Sequence, residues 1–320
     1  MQESGFAIEA RALTRLFDAT VAVDGVDFAV RPGEVFGFLG PNGAGKSTTV
    51  RMLTGFIPPT SGAALLGGHD VTREPSTARA QIGVVPEEAN VYADMTVWQN
   101  VMLMAELHGV PRARRVARGR ELLEAFGLDQ RLKQTGRQLS KGLRQRLMLC
   151  MALVSDPATL FLDEPTSGLD VASARLIRDV VARLNRERGT TVFLTTHNID
   201  EADALCHRVG IIDKGRIAAV DTPRALRAAI QSRRSVEVRF AGAAVDPVTL
   251  VGGDDGEIVT LADGFRFYTP APGDAAQRIA MRASAAGVRI EAIATLAPSL
   301  EDVFLHLTRT AGSDVHAARH

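Results

Sequence analysis

The stretch GEVFGFLGPNGAGKST, residues 33–48, decides the fold of this 320-residue chain. An apolar segment runs directly into a glycine-rich loop with the spacing GxxxxGKS, which is typical of a phosphate-binding turn between a buried strand and a helix. Glycines let successive backbone N–H groups point into one concavity, where the helix dipole adds positive potential. The pattern predicts a polyphosphate site formed by Gly40, Pro41, Asn42, Gly43, Ala44, Gly45, Lys46, Ser47 and Thr48.

Two side chains at the end of this loop have specific predicted partners. Lys46 can reach the β and γ phosphates, and the hydroxyl of Ser47 can bind Mg²⁺. A glycine-rich turn without a ligand would need neither the lysine nor the hydroxyl at this spacing. We therefore favour a polyphosphate site with Mg²⁺ over a plain turn.

Polar residues end two further apolar segments. TLFLDE, residues 159–164, finishes in Asp163 and Glu164, and TTVFLTTH, residues 190–197, finishes in His197. Ligands of parallel sheets bind outside the carboxyl ends of the strands, so these side chains are expected near the same phosphates. Asp163 suits the Mg²⁺ shell, and Glu164 can act as general base on an attacking water. The alternatives are a solvated acidic strand end and a structural histidine.

The rest of the chain divides by its hydrophobic pattern. Residues 1 to about 85 contain strand-like segments, the following stretch has helical periodicity, and a strand–helix–strand unit then predicts a parallel sheet. We predict a large domain over residues 1–228 with a helical subdomain at about 88–155, an α+β domain over 229–309 and a disordered tail over 310–320. In the α+β domain, SLEDVFLHLT predicts a helix with Ser299 as N-cap and Asp302 three residues later.

Composition gives no reason to expect a nucleic-acid partner. The chain has 37 basic and 37 acidic residues, and no apolar run approaches the roughly 18 residues that a membrane span needs. Five arginines between residues 112 and 120 have no aromatic residues among them, so a solvated helix face is expected. Cys150 and Cys206 lack metal-site spacing and are expected to be core thiols.

In order and spacing, these motifs resemble the nucleotide-binding subunits of ABC transporters over about residues 5–228. The resemblance implies an α/β fold, a P-loop ATPase core with an antiparallel β subdomain and an inserted helical subdomain, followed here by the small α+β domain. It also implies family roles for Gly40–Thr48 as Walker A, Leu160–Asp163 as Walker B, Glu164 as catalytic carboxylate, Ser167–Asp170 as D-loop and His197 as switch histidine. Asp170 is then expected near the nucleotide.

Three other positions acquire roles from the same resemblance. Phe17 stands where the family places an aromatic residue that stacks on adenine. LSKGL, residues 139–143, stands where the family has its LSGGQ signature, so Ser140 and Gly142 are expected to contact ATP held by a second copy. Lys141 and Leu143 depart from that consensus.

Glu87 replaces the glutamine that most of the family uses beside Mg²⁺ or the attacking water. A carboxylate can still accept a hydrogen bond from a metal-bound water, so Glu87 is a candidate catalytic and metal-binding residue. An exposed loop residue without such a role is the alternative.

The function that the resemblance implies is ATP hydrolysis coupled to transport. The pore would be a separate integral membrane permease, docked near residues 87–105 at the cytoplasmic face of the cell membrane. SKGLRQRL, LTTHNIDEAD and SLEDVFLHLT also resemble the daunorubicin-resistance type, which pairs with type-2 export permeases. The alternatives are a soluble, non-transport ABC ATPase and an ATP-binding regulator that does not hydrolyse ATP. The transported substrate stays open, because its contacts lie in the permease.

Overall fold

The computed structural model describes residues 5–88, 90–230, 234–241, 246–253 and 256–313. The chain divides into two compact units, Met1–Thr222 and Pro223–His320. The boundary between the two units follows Thr222, six residues before the predicted end of the first domain at residue 228. The reason is that the helix Pro223–Ala229 packs on the last helix of the second unit. Among the described residues, no helix is both long and apolar enough to cross a membrane.

The first unit has mixed α/β structure. Its strands are β1 (Ile8–Phe17), β2 (Thr20–Val30), β3 (Val35–Leu39), β4 (Ser61–Leu66), β5 (His69–Asp70), β6 (Ile82–Val85), β7 (Thr159–Asp163), β8 (Thr191–Thr196), β9 (Arg208–Asp213) and β10 (Arg216–Asp221). Its helices are α1 (Lys46–Leu53), α2 (Pro75–Ala80), α3 (Val97–Leu107), α4 (Arg112–Ala125), α5 (Lys141–Leu153), α6 (Val171–Arg188) and α7 (Ile199–Leu205).

The central sheet has the order β10-β9-β3-β8-β7-β6, and all its neighbouring pairs except β10–β9 are parallel. The helix α6 crosses from β7 to β8, as the strand–helix–strand pattern predicts. The register pairs Leu39 with Thr196 and Asp163 with Thr195. The carboxyl ends of β3, β7 and β8 therefore meet at one edge.

An antiparallel sheet of order β2-β1-β4-β5 packs on the central sheet. Phenylalanine rings join the two sheets: Phe28 of β2 lies 5.4–5.7 Å, centroid to centroid, from Phe36, Phe38 and Phe193. Burial of such aromatic side chains contributes much of the stability of a core. This cluster fixes β3 and β8, the strands whose ends face the phosphate-binding loop.

The helical insertion consists mainly of α3, α4 and α5. Thr96 starts α3 with a reciprocal capping box, because its hydroxyl accepts from Gln99 N at 3.1 Å while Gln99 Oε1 accepts from Thr96 N at 2.9 Å. On α4, Leu122 and Leu123 are buried, as the sequence pattern predicts. The expected solvated arginine face is correct for Arg112, Arg114 and Arg120, which are exposed. It is wrong for Arg115 and Arg118, which are partly buried because they form ion pairs with neighbouring carboxylates.

The buried thiols Cys150 and Cys206 belong to the core of the first unit. Burial raises the pKa of both thiols. The pattern-based prediction of core cysteines is confirmed.

The second unit contains an antiparallel sheet with helices. Its elements are α8 (Pro223–Ala229), β11 (Ser235–Phe240), α9 (Pro247–Val251), β12 (Ile258–Leu261), β13 (Gly264–Tyr268), α10 (Pro272–Ala285), β14 (Ile290–Leu296) and α11 (Leu300–Ser313). The strand order is β12-β13-β11-β14, and an apolar core that includes Val238 and Phe265 packs against α10.

The last helix begins as predicted and ends later than predicted. Asp302 N donates to Ser299 Oγ at 3.1 Å, and Ser299 N donates to Asp302 Oδ2 at 2.9 Å. The helix continues to Ser313, within the predicted tail, because residues 308–313 contain no proline and tolerate their single glycine. The rest of the predicted tail, residues 314–320, lies outside the described residues.

Candidate nucleotide-binding site

The loop between β3 and α1 forms a concave backbone surface. Gly45 caps α1 with φ 106°, and Gly43 has φ 80°. A Cβ at Gly45 would lie 2.6 Å from the carbonyl oxygen of Ala22, and one at Gly40 would lie 2.5 Å from that of Ile212. Only glycine fits these two positions, and the first N–H groups of α1 have no partner within the helix. The loop therefore fits an anion at its centre.

Lys46 lies across this loop and is enclosed by oxygen atoms. Its side chain is 6% exposed, and Nζ donates to Gly40 O at 2.8 Å and to Pro41 O at 3.2 Å. The same ammonium group forms an ion pair with Glu164 Oε1 at 3.3 Å. Lys46 thus connects the loop to the end of β7.

Asp163 is oriented by two hydroxyl groups. Ser47 Oγ donates to Asp163 Oδ1 at 3.2 Å, and Thr195 Oγ1 donates to the same oxygen. Carboxylate and hydroxyl oxygens are the ligands that Mg²⁺ prefers, usually together with substrate phosphates. The residues at this point therefore fit a Mg²⁺ ion bound with a nucleotide.

Glu164 has an unusual backbone conformation beside His197. Its φ is 49°, which is rare for a residue with a side chain, and the backbone is held by hydrogen bonds from its N–H to the carbonyl and hydroxyl oxygens of Thr195 at 3.1 Å. Oε2 lies 2.8 Å from His197 Nδ1 and accepts from His197 N at 3.3 Å. Glu164 is 6% exposed and His197 52% exposed. The carboxylate is thus fixed between Lys46 and His197.

Ser140 and Gly142 lie at the start of α5. Ser140 caps this helix, and its Oγ accepts from Leu143 N at 3.4 Å. A Cβ at Gly142 would lie 2.7 Å from Ser173 Oγ. The helix start is therefore closely packed against the beginning of α6, and a larger residue at 142 would force the two helices apart.

Asp170 caps α6, a contact that the sequence analysis did not anticipate. Its carboxylate accepts from Ser173 N at 2.8 Å and from Ser173 Oγ at 2.7 Å, and these hydrogen bonds hold the pKa of Asp170 below its usual range. Arg146 Nη2 donates to Ser173 Oγ at 2.9 Å. Asp170 therefore caps α6 and orients Ser173, and Ser173 in turn connects α6 to Arg146 of α5.

The candidate residues therefore form two groups. Lys46, Ser47, Asp163, Glu164 and His197 are connected around the strand ends. Within the described part of the chain, no hydrogen bond or ion pair connects Ser140 or Gly142 to the loop 40–48. A single chain thus places the candidate residues at two separate positions.

Glu87 and Phe17 lie at the margins of the first group. Glu87 is exposed and lines an open cleft of about 970 Å³ that also contains Ser47 and Asp163. Phe17, at the end of β1, is 42% exposed, and the guanidinium carbon of Arg15 lies 4.6 Å from its ring centroid. Both side chains are accessible to a ligand.

Sequence reasoning missed two residues of this region, Thr195 and Glu201. Thr195 contacts Asp163 and Glu164 because β7 and β8 are paired in parallel, and the strand–helix–strand pattern was the available signal. Glu201 is a buried carboxylate on α7 that accepts from Thr166 Oγ1 at 2.8 Å. No sequence spacing indicated this contact.

The phosphate-binding loop connects β3 to α1, and two carboxylates stand at the end of β7, which is separated from β3 by β8 in the same sheet. This arrangement defines the class of P-loop nucleoside triphosphatases. The family model described as ABC transporter matches residues 23–167. Together with the relatives described next, this match shows that the chain belongs to the ABC transporter family as an ATP-binding, ATP-hydrolysing subunit.

The chain is similar to drug-resistance proteins over most of its length. It is 44% identical to the daunorubicin/doxorubicin resistance ATP-binding protein DrrA of Streptomyces peucetius, over 71% of this chain and 68% of the relative. It is 39% identical to the daunorubicin resistance ATP-binding protein DrrA2 of Streptomyces coeruleorubidus, over 95% of each. A dimeric structure of MJ0796, a bacterial ABC transporter cassette, has TM-score 0.63 and 25% identity, covering 67% of this chain and 98% of that one.

These findings confirm the predicted family, the predicted fold class and the predicted ATP hydrolase activity. They also confirm the resemblance to the daunorubicin-resistance type. The roles of individual residues and the partners stay predictions.

Proposed function

We propose that this chain hydrolyses ATP to drive export through a separate integral membrane permease, at the cytoplasmic face of the cell membrane. The observation that carries the proposal is the placement of Glu164 at a strand end, buried and fixed between Lys46 and His197. The drug-resistance names of the relatives support an export function.

The triphosphate of ATP would lie against the N-terminus of α1, where unpaired N–H groups and the helix dipole favour negative charge. Lys46 Nζ would exchange its contacts with Gly40 O and Pro41 O for β- and γ-phosphate oxygens. Ser47 and Asp163, with Glu87 in the same cleft, would hold Mg²⁺, which neutralises phosphate charge when bound. Phe17 would stack on the adenine.

Glu164 would accept a proton from the water that attacks the γ-phosphate. A general base needs hydrogen-bond reach and a fixed orientation, and the contacts with Lys46 and His197 supply the orientation. The half-exposed imidazole of His197 can also donate to the phosphate. The strained φ of Glu164 fits a site that holds one geometry.

The second anion-binding surface, Ser140 with Gly142, would contact ATP held by another copy of the chain. Two copies related by a twofold axis would bury two ATP molecules, each between Lys46 of one and Ser140 of the other. The solved dimeric ABC cassette supports this arrangement as a proposal for the present chain. Hydrolysis would remove the shared γ-phosphate and loosen the pair.

The permease would dock at the open cleft beside Glu87. Its lining includes Val84, Met104, Met148 and Met151, which offer an adaptable apolar surface between the central sheet and the helical insertion. The cleft also contains Ser47 and Asp163, so a docked helix would lie next to the nucleotide. This position agrees with the docking region expected near residues 87–105.

The substitution Glu164→Gln tests the proposed chemistry. An amide cannot accept the proton, so Mg²⁺-dependent ATP hydrolysis should fall by about 10²-fold or more. ATP affinity measured by calorimetry should be retained, because the loop 40–48 is unchanged. Turnover at the wild-type rate would remove Glu164 from its proposed role.

A further inference from the structure

Glu201 is a buried carboxylate that the proposed chemistry does not use. It lies in the first turn of α7, is 1% exposed, and its Oε1 accepts from Thr166 Oγ1 at 2.8 Å. Its backbone N–H donates to Asn198 Oδ1 at 3.1 Å. A buried carboxylate destabilises a fold unless it is well paired. If position 201 contributed only to stability, an apolar residue would stabilise the fold more than a glutamate does.

The surroundings of Glu201 show which groups balance its charge. Burial raises the pKa of Glu201, and the hydroxyls of Thr166 and Thr196 and the charge of Arg178 oppose this increase. The negative charge of Glu164, like burial, raises the pKa of Glu201. The hydroxyl of Thr166 and the charge of Arg178 therefore offset part of the cost of burying this carboxylate.

The two segments that meet at Glu201 both carry site residues. Thr166 belongs to the loop 164–170, which starts at Glu164 and is folded by hydrogen bonds from Ser167 N to Glu164 O at 3.1 Å and from Leu169 N to Thr166 O at 3.2 Å. On the other side, Glu201 lies in the first turn of α7, the helix that follows His197. The contact between Glu201 and Thr166 thus fastens the end of β7 to the end of β8.

The far end of the loop 164–170 reaches the second anion-binding surface. Asp170 contacts Ser173, and Ser173 Oγ lies against Gly142. A Cβ at Gly168 would lie 2.6 Å from Lys141 Nζ. A displacement of this loop would therefore change the position of Glu164 and the packing at the start of α5.

We propose that Glu201 is a positioning residue that, through Thr166, holds the loop 164–170 against the strand end that carries His197. The proposal rests on the proposed function, because the loop would connect the general base of one ATP site with the surface that contacts the partner's ATP. Glu201 does not touch the reacting atoms itself.

The test compares Thr166→Val, which removes only the hydroxyl donor, with Thr166→Ser, which keeps it. Thr166→Val should lower kcat about tenfold or more, because loss of the hydrogen bond to the buried carboxylate releases the loop that starts at Glu164. Thr166→Ser should hydrolyse ATP near the wild-type rate. ATP affinity should stay near wild type in both variants, and the midpoint of thermal unfolding should fall modestly in Thr166→Val alone.

Variants of Glu201 supply the matched controls. Glu201→Gln keeps an acceptor oxygen and should retain most of kcat, whereas Glu201→Ala should lose as much as Thr166→Val. The double variant Glu201→Ala/Thr166→Val should be no slower than Glu201→Ala alone, because both changes remove the same contact.

Hydrogen exchange gives a readout that does not depend on hydrolysis. Thr166→Val should lower amide protection of residues 164–170, with α1 unchanged. Wild-type kcat or unchanged protection in Thr166→Val would overturn the inference, as would a loss of ATP affinity that parallels the loss of kcat. A wild-type protein without ATPase activity would instead contradict the proposed function, and the exchange experiment would still decide the role of Glu201.

Discussion

Lys46 illustrates how one side chain can be fully paired and still be ready for a ligand. Its ammonium group pairs with Glu164 and also donates to two loop carbonyl oxygens, which phosphate oxygens can replace. The exchange is favourable, because a phosphate oxygen carries negative charge and a carbonyl oxygen does not.

The substitution Lys46→Ala should therefore weaken ATP binding, by about tenfold or more if one charge-assisted bond is lost. Calorimetric titration with ATP measures the change. Lys133→Ala is the control, because Lys133 is exposed on the helical insertion. Equal ATP affinity in Lys46→Ala and the wild type would contradict the role of Lys46.

At the scale of residues, the sequence predicted the side chains whose chemistry requires a fixed spacing. Lys46 and Ser47 follow the glycines at a set distance, and Glu164 and His197 close apolar strands. Thr195 and Glu201 were missed because their contacts depend on strand register and on packing between distant segments. The position of Asp170 near the nucleotide stays a prediction, and in the structure its carboxylate caps α6.

At the scale of elements, the turn before α1 depends on glycines for two different reasons. Gly45 has φ 106° and lacks space for a Cβ, whereas Gly43 has φ 80° but no atom within 4 Å of a Cβ. In Gly43→Ala the alanine backbone would be strained at positive φ, which costs about 1–3 kcal/mol. In Gly45→Ala the same strain would be joined by a clash between the new Cβ and the carbonyl oxygen of Ala22. Urea unfolding should show a larger loss of stability for Gly45→Ala. Equal losses would show that the clash with Ala22 O does not matter.

A network of ion pairs joins α4 to α6. Glu121 pairs with Arg118 at 3.0 Å and with Arg188, and Asp156 pairs with both arginines at 3.1 Å. Burial acts to raise the pKa of Glu121, but the hydrogen bonds and charges of Arg118 and Arg188 outweigh it and hold the pKa below its ordinary value. Glu121 is half exposed, so solvent screening limits the strength of these pairs.

Because the pKa of Glu121 is lower in the folded than in the unfolded chain, its contribution is present at neutral pH and is lost as the pH falls below about 4. Glu121→Gln should lower the free energy of unfolding at pH 7 by less than about 1 kcal/mol. The difference from the wild type should shrink as the pH falls below the ordinary pKa of a glutamate. A difference that does not change with pH would assign the effect to packing.

Element types were easier to predict than element ends. The apolar alternation of β2 and the stripe of α6 follow directly from sequence, and the capping pair Ser299 and Asp302 set the start of α11. Its end at Ser313 was missed, because no strong stop signal exists there. The sequence pattern did not predict the short helix α9, because a helix of five residues is too short to show a periodicity.

At the scale of the whole molecule, the second unit has its own core and its own sheet. Within its described residues we find no glycine-rich phosphate loop, and we expect this unit to support dimerisation or permease assembly. A fragment of residues 1–222, which ends at the boundary between the units, should bind ATP like the full chain but assemble less well. A fragment that is folded by circular dichroism and does not bind ATP would contradict this division of roles.

The central claim is that two copies of the chain enclose ATP between Lys46 of one and Ser140 of the other. Size-exclusion chromatography with light scattering on Glu164→Gln, with ATP and Mg²⁺, tests it most directly, because blocked hydrolysis should retain the dimer. Adding Ser140→Arg should restore the monomer through bulk at the γ-phosphate, whereas Ser76→Arg, at an exposed position of α2, should leave the dimer intact. A dimer that persists with Ser140→Arg, or an ATP-bound monomer of Glu164→Gln alone, would contradict the claim.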